Sequence, residues 1–360
     1  MHQPKLPKLA IVSTHPIQYL APLFQLMEER GKVAIKVFYS WGKDSMKKFD
    51  KGFGKTIEWD IPLLQGYTYE FAENQSKAPG THHYKGIQTP KLAQQILDWQ
   101  ADALLIFGWN YQGHLQVMRQ LHGKIPILFR GDSTLLDERP GMRRLLRRVF
   151  LRWVYRFVDK AFYVGQNNRK YLLAHGMTEQ QLIFAPHAID NARFADAPEK
   201  NYQEQAEAWR RELGYSSSDK VLLFAGKLEP KKAPSLLLQA VQTHNRQHAE
   251  PWKLLFIGNG VLEAQLQETA QGDPHIQFAG FQNQSRMPVA YRVGDLFCLP
   301  SNGPGETWGL AINEAMASGR PVIASSKTGC AIDLIQPDSN GYYFEAGSLQ
   351  ELVQVLEKAR

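Results

Sequence analysis

The sequence predicts an α/β protein of two domains, each a parallel sheet with helices packed against it. Short apolar runs rich in β-branched and aromatic residues alternate with helical segments, which is the rhythm of strand, crossover helix and parallel strand. That rhythm pauses in the polar stretch between Asp190 and Lys220 and then restarts. At roughly 150 residues per domain, a chain of 360 residues leaves room for two.

In order, the amino half reads LAIVS, a helix from about Pro16, then VAIKVFY, ALLIF, IPILF, KAFYV and LIFAP. The carboxyl half reads VLLFAG, KLLFIG, IQFAG, LFCLPS and PVIAS. The expected domains are residues 1–195 and 196–360. Ligands of open α/β sheets bind beyond the carboxyl ends of strands, so two such domains facing one another are expected to enclose a central cleft.

Composition removes several classes. With 43% hydrophobic and 21% charged residues the chain can bury a core, unlike a disordered or collagen-like sequence. Two cysteines, Cys298 and Cys330, supply no disulfide framework and sit in no metal-binding cluster, which suits a reducing cytosol. No run approaches the length of a membrane span, and the apolar run after the opening Met1 to Lys8 is too short for a signal peptide, so a cytoplasmic protein is expected. Lys and Arg exceed Asp and Glu by 42 to 35, a net charge of +7 that suggests an anionic partner: nucleic acid, a phosphorylated small molecule or a membrane surface.

The most informative stretch is LFCLPSNGPGETWGLAINEAMASGRPVIAS, residues 296–325. A buried-type strand ends at Pro300, and a Gly/Pro-rich loop delivers Glu306 to the start of a helix. Gly305 and Gly309 permit close approach of a ligand. Backbone N–H groups of Thr307, Trp308, Gly309 and Leu310 would point at whatever sits before the helix, where the dipole favours an anion. Glu314, a little over two turns beyond Glu306, could face the same cleft and accept two hydrogen bonds from paired hydroxyls. The alternative, a solvated loop acid and an exposed helix acid, fits poorly with Leu310, Ile312, Ala315 and Met316 around Glu314, since an unpaired buried carboxylate is costly. Upstream, Lys227 follows a strand and Lys232 lies across a turn from it; two converging ammonium groups suit a pyrophosphate, the alternative being a solvated basic loop. Gly258 and Gly260 in LLFIGNGVLEAQL are likewise compatible with close ligand approach.

Taken in order, strand-GKL-x3-K, strand-GNG, IQFAGF, VGDLFCLPS, the E-x7-E phrase with EAMASGRPVIAS and the terminal NGYYF resemble the nucleotide-sugar-binding domain of retaining, family-4 type glycosyltransferases, from about Val221 to Phe344. The resemblance implies a GT-B fold of two Rossmann-like domains and a nucleoside-diphosphate sugar donor. It implies that Glu306 is catalytic, holding the sugar hydroxyls and supporting the reacting face, that Glu314 holds the ribose, and that Lys227 and Lys232 grip the diphosphate. The first of that basic pair is usually arginine; lysine keeps the charge and loses the bidentate fork.

The amino half departs further from that pattern. STHPIQYLAPL places His15 at the first strand's carboxyl edge, where relatives often carry a Gly-rich loop; His15, with Gln18 and Tyr19, could contact donor or acceptor, or simply pack the sheet edge. IPILF leads to Arg130, Gly131, Asp132 and Ser133, where many relatives carry a histidine near the reacting sugar. Asp132 could accept a proton or anchor an acceptor hydroxyl and Arg130 could hold a phosphate, or the two could form a salt bridge. APHAIDNARF, residues 185–194, resembles the inter-domain signature PNGxD with His187 and Ala188 in place of Asn and Gly. In GMRRLLRRVFLRWVYRFVD, helical spacing puts Leu146, Val149, Phe150, Trp153 and Phe157 on one broad face and Arg143, Arg144, Arg147, Arg148, Arg152 and Arg156 mostly on the other. This reads either as a contact with an anionic membrane or as a core-packed helix with a solvated basic side.

The expected function is transfer of a sugar from a nucleotide donor to a glycan or lipid-linked acceptor of cell-surface polysaccharide synthesis. Retention of configuration is implied by the resemblance. No bound cofactor is expected, and no metal, because no DxD-like acidic cluster appears and Lys227, Lys232 and the helix start near Thr307 would stabilise the leaving diphosphate. A GT-B nucleotide-sugar epimerase or phosphorylase is the second reading. A nucleic-acid-binding protein is the third; the basic residues cluster on one helix and at two phosphate-sized places, and no RRM, zinc-finger or helix-turn-helix signature accompanies them.

Overall fold

The computed structural model describes residues 6–46, 49–50, 55–56 and 58–360, so the opening Met1–Lys5 lies outside them. The chain divides into two compact units: residues 6–46 with Ile61–Pro186, and the described part of Phe49–Asp60 with His187–Arg360.

In the first unit the strands are β1 (Lys8–Ser13), β2 (Ala34–Tyr39), β5 (Tyr69–Phe71), β6 (Ala103–Phe107), β7 (Ile127–Arg130), β8 (Lys160–Tyr163) and β9 (Leu182–Phe184). They form one parallel sheet in the order β5-β2-β1-β6-β7-β8-β9. Its helices are α1 (Ala21–Arg30), α2 (Leu92–Asp98), α3 (Gln112–Leu121), α4 (Met142–Tyr155) and α5 (Gln166–Ala174). Successive residues of a strand point to opposite faces. Ile11 therefore joins Phe24, Ile35, Val37 and Tyr39 on one side of the sheet, while Ala10 and Val12 join Phe38, Leu104, Ile106, Leu151 and Val154 on the other.

The second unit holds the short antiparallel pair β3 (Phe49–Asp50) and β4 (Lys55–Thr56) and a parallel sheet of β10 (Lys220–Ala225), β11 (Trp252–Ile257), β12 (Ile276–Phe278), β13 (Leu296–Leu299), β14 (Val322–Ser325) and β15 (Gly341–Phe344), in the order β12-β11-β10-β13-β14-β15. Its helices are α6 (Asn191–Phe194), α7 (Tyr202–Glu212), α8 (Pro234–Gln247), α9 (Glu263–Thr269), α10 (Met287–Val293), α11 (Leu310–Ala317), α12 (Ala331–Leu334) and α13 (Leu349–Lys358). β13 and β14 are buried along their whole length, as strands of a parallel sheet covered on both faces must be. In both sheets the strand order reverses beside the first strand, between β1 and β6 and between β10 and β13. At such a switch point neighbouring loops diverge and leave a crevice.

Three boundaries differ from the sequence expectation. The first helix opens at Ala21 rather than near Pro16: Pro22 takes the proline-tolerant first turn, and Ile17–Leu20 form a turn ahead of it. The units part at 186/187, nine residues before the expected 195/196. The reason is α6, whose buried Phe194 rings with Tyr291 and whose Phe194 carbonyl accepts from Arg292, tying it to the second unit. Residues Glu58 and Asp60 also belong there, through the Asn283 amide to the Glu58 carbonyl at 2.8 Å and the Ser285 amide to Asp60 at 3.0 Å.

Candidate functional site

In the second unit, the loops after β10 and β13 flank the switch point, and Lys227, Lys232, Glu306, Thr307, Trp308 and Gly309 of the expected donor residues sit on them. Lys227 follows Gly226 at the end of β10, and Lys232 closes a short 3-10 turn, Pro230–Lys232. The next residue, Ala233, has φ of 49°, a left-handed conformation costly for a side chain bearing Cβ, and it starts α8 directly behind the lysines. The Asn302 amide donates to the Lys231 carbonyl at 2.8 Å, so the two loops are stitched together.

Across that stitch the Lys232 ammonium pairs with the Glu306 carboxylate, which also accepts from the Ser301 hydroxyl at 2.9 Å. Glu306 is buried. It lies in the loop ahead of α11 rather than at the helix start, because α11 opens at Leu310 with Gly309, φ of 97°, as its cap. A Cβ at Gly309 would stand 2.8 Å from the Thr328 methyl, so both the dihedral and the space require glycine. The Glu306 and Trp308 carbonyls accept from the Gly329 and Cys330 amides, which fixes the loop that carries Thr307.

Glu314 is buried on α11, and the Tyr291 hydroxyl donates to it at 2.7 Å. Burial of this carboxylate agrees with the sequence, and its partner Tyr291 on α10 was not foreseen; no local motif signals a residue on another helix. Ser301, immediately after the strand motif, was legible and passed over. The Trp308 side chain is buried, donates to Asn313 at 2.8 Å and packs on the His187 ring. A Cβ at Gly258 or Gly260 would strike the backbone of Gly226 or Leu228, so these glycines let the β10 and β11 loops touch. In the 185–194 phrase, Asp190 caps α6 by accepting from the Arg193 amide at 3.1 Å.

In the first unit, His15 lies just past β1, its Nδ1 in a hydrogen bond with the Thr14 hydroxyl at 2.8 Å and its ring edge-on to Trp41. Arg130 is buried at the end of β7. Its guanidinium donates to the Ala185 and Pro186 carbonyls at 2.8 and 3.1 Å; burial lowers its pKa and the nearby Asp132 charge supports its cationic form. Asp132 lines a cavity of about 440 Å³ with Gly108, Trp109, Asn110, Arg147 and Tyr155, beyond the ends of β6 and β7. A fully buried histidine, His114, lies between Ser40 (2.7 Å) and the Gly108 carbonyl (3.1 Å); burial lowers its pKa to about 4, so it is neutral.

Helix α4 bears on the two alternatives left open for the arginine-rich segment. Its core-facing residues are Leu151, Val154 and Tyr155. The apolar face read from the sequence points outward over the first turns, with Leu146 63% and Val149 62% exposed, so the core-packed alternative fails there. Arg148 pairs with Glu138 at 3.3 Å and Arg147 donates to the Tyr171 hydroxyl at 3.1 Å, leaving Arg143 and Arg152 among those extended to solvent.

Among the described residues no group of three His, Cys, Asp or Glu side chains is placed to hold a metal ion, and no helix is long and apolar enough to cross a membrane. Both cysteines are buried and unpaired.

Residues 205–359 match the family model described as glycosyl transferases group 1. Among curated proteins, a phosphatidyl-myo-inositol mannosyltransferase of Mycobacterium leprae is 39% identical over 114 residues, 31% of this chain and 30% of that protein. The sulfoquinovosyl transferase SQD2 of Arabidopsis thaliana is 28% identical over 211 residues, 57% of this chain and 38% of that protein. The matched segments span about a third of the length of these relatives. Among solved structures, Anabaena HepE in complex with UDP is similar over 98% of this chain and 90% of its own, with a TM-score of 0.69 at 18% identity. The catalytic domain of Arabidopsis thaliana starch synthase IV, bound to ADP and acarbose, covers 98% and 91% with a TM-score of 0.70 at 14% identity. The chain has the GT-B fold, and its second unit matches the group 1 glycosyl transferases in sequence.

Proposed function

We propose that the protein is a glycosyltransferase that moves a sugar from a nucleoside-diphosphate sugar to a glycan or lipid-linked acceptor, with retention of configuration and without a metal ion. The observation that carries the reading is the Lys232–Glu306 pair at the switch point of the sheet in the second unit, with buried Glu314 on the helix that follows. Its context supports it: relatives named as mannosyl and sulfoquinovosyl transferases, and structural neighbours whose complexes hold UDP, UDP-glucose or ADP.

On this reading the ammonium of Lys232 exchanges Glu306 for the donor diphosphate, with Lys227 beside it, and Glu306 is released to accept hydrogen bonds from sugar hydroxyls. Glu314, oriented by Tyr291, accepts from the ribose hydroxyls. Charge developing on the leaving diphosphate is met by lysine side chains and the N–H groups around Thr307 and Leu310, which need no reorganisation once the donor is seated. Asp132 and His15 serve the acceptor side in the first unit, and a cell-surface glycan precursor met at an anionic membrane, by way of the α4 arginines, belongs to the same reading. The protein is then cytoplasmic and peripheral.

A thermal-shift panel of nucleotide sugars tests the reading, because a ligand that binds the native state raises its melting temperature by mass action. At least one nucleoside-diphosphate sugar is expected to raise it, and Glu314→Ala to weaken that binding by about 1–3 kcal/mol, the scale of lost hydrogen bonds to a charged group. No shift with any nucleotide sugar, or wild-type affinity in Glu314→Ala, overturns the assignment.

A further inference from the structure

A helix that packs on a sheet normally turns its apolar stripe inward and its charges to water. Helix α4 does the reverse over its first turns. Met142, Leu145, Leu146, Val149 and Phe150 are between 41% and 70% exposed. They share one face: at about 100° per residue, Val149 lies about 200° around the helix from the core residue Leu151. Five large apolar side chains on consecutive turns form a contiguous patch rather than scattered exposed residues, and such a patch marks a contact surface.

Two features state the chemistry of the partner. Arg143, Arg152 and Arg156 are exposed on the helix that carries the strip. Their stems can lie along an apolar surface while their guanidinium groups reach charged neighbours. At the far end the strip runs through the Phe150–Trp153 ring contact, 5.7 Å between centroids, into a hollow of about 740 Å³ lined by Lys85, Arg119, Trp153 and Arg156. Apolar groups flanked by cations, continued by a basic hollow with an aromatic wall, match acyl chains beneath phosphate head groups.

We propose that α4 seats the first unit on an anionic membrane, with the apolar strip entering the head-group boundary and the hollow of Lys85, Arg119 and Arg156 taking a lipid phosphate. Phe150 also meets the Trp109 ring at 5.4 Å, and Trp109 lines the Asp132 cavity. The membrane-facing strip is thus one aromatic contact from that cavity. Resting on the glycosyl-transfer reading, the acceptor is then a lipid whose hydrophilic head enters the Asp132 cavity while its chains remain in the bilayer.

The test is sedimentation of the full chain with phosphatidylcholine vesicles, with and without phosphatidylglycerol, at low and high salt. Attachment to the anionic vesicles and release by salt are expected. Leu145→Gln, Leu146→Gln and Val149→Gln together, and separately Arg119→Gln with Arg156→Gln, should each reduce attachment at least about tenfold while nucleotide-sugar thermal shifts are unchanged. Brominated phosphatidylglycerol should quench tryptophan fluorescence of the unaltered protein, a readout that depends on no variant. Failure of the unaltered protein to attach, no quenching, or full attachment of the Leu/Val variant overturns the proposal. So does an oligomer that the Leu/Val variant dissolves, since a second copy would then cover the strip. Nucleotide-sugar shifts that persist when attachment fails leave the glycosyl-transfer reading standing; attachment without any such shift removes that reading and keeps the membrane surface.

Discussion

Lys232 and Glu306 are each other's partner, so a substitution at one changes the charge the other presents. Lys232→Ala is expected to weaken nucleoside-diphosphate binding by about 1–3 kcal/mol in calorimetry. Glu306→Gln releases the ammonium: it should leave diphosphate binding as strong as before, or stronger, while transfer collapses. A Glu306→Gln protein that loses diphosphate affinity would show that the carboxylate itself organises the phosphate site. His114 sets a pH dependence of a different kind. Burial lowers its folded pKa to about 4, against an ordinary value near 6.5, so the unfolded chain takes up its proton first as pH falls. Its contribution is present above about 6.5 and is lost towards 4, reaching about 3 kcal/mol in all. Urea denaturation between pH 7 and 4.5 should show a shallower loss of stability in His114→Gln than in the unaltered protein; parallel curves would contradict it.

At the scale of elements, backbone contacts hold the loops after β10 and β11 together. Gly258 sits at φ of 133°, and a Cβ there would stand 1.9 Å from the Gly226 carbonyl oxygen, an atom that cannot rotate away. Gly258→Ala should therefore lower stability by about 2–4 kcal/mol, seen as a fall in melting temperature, and weaken donor binding with it. A variant that melts with the unaltered protein would show that the β10 and β11 loops can part without cost. At Gly258 the sequence is compatible with close approach of a ligand; the structure shows the β10 loop in close approach there. A glycine reports that something comes close, and only coordinates say what. The same holds for α4. Its spacing put Leu146, Val149 and Phe150 on one exposed face but added Phe157, which is buried in the core, and the amphipathic pattern is silent on whether a face meets a core or a partner.

For the whole molecule, the proposed reading assigns stabilisation of the leaving diphosphate to Lys227, Lys232 and backbone amides, so transfer in excess EDTA should run close to its rate with added Mg²⁺. A rate that collapses with chelator and returns with metal would refute a metal-independent reaction. The second unit was the more legible half because each part of its site is local: the lysines follow β10 and the E-x7-E phrase follows β13, each a short strand-loop motif, and a parallel sheet brings loops that follow neighbouring strands to one edge. In the first unit the residues around Asp132 come from four separated segments, Gly108–Asn110, Phe129–Ser133, α4 and α5, and no motif spans them.

The sequence by itself determined the alternation of buried strands and helices, the pair of sheets, and the burial of Glu314, because each follows from periodicity within a few residues. Strands β5 and β15 escaped as separate elements: β5 is a three-residue edge strand, too short for a pattern. Tertiary structure alone decided that the Arg130 guanidinium is spent on the Ala185 and Pro186 carbonyls, that Tyr291 orients Glu314, and that Lys232 pairs with Glu306. Each of these joins residues whose separation in the chain, 55, 23 or 74 positions, carries no local signal. A charged group's role depends on which partner the fold brings within hydrogen-bond reach, and side-chain chemistry alone does not name that partner.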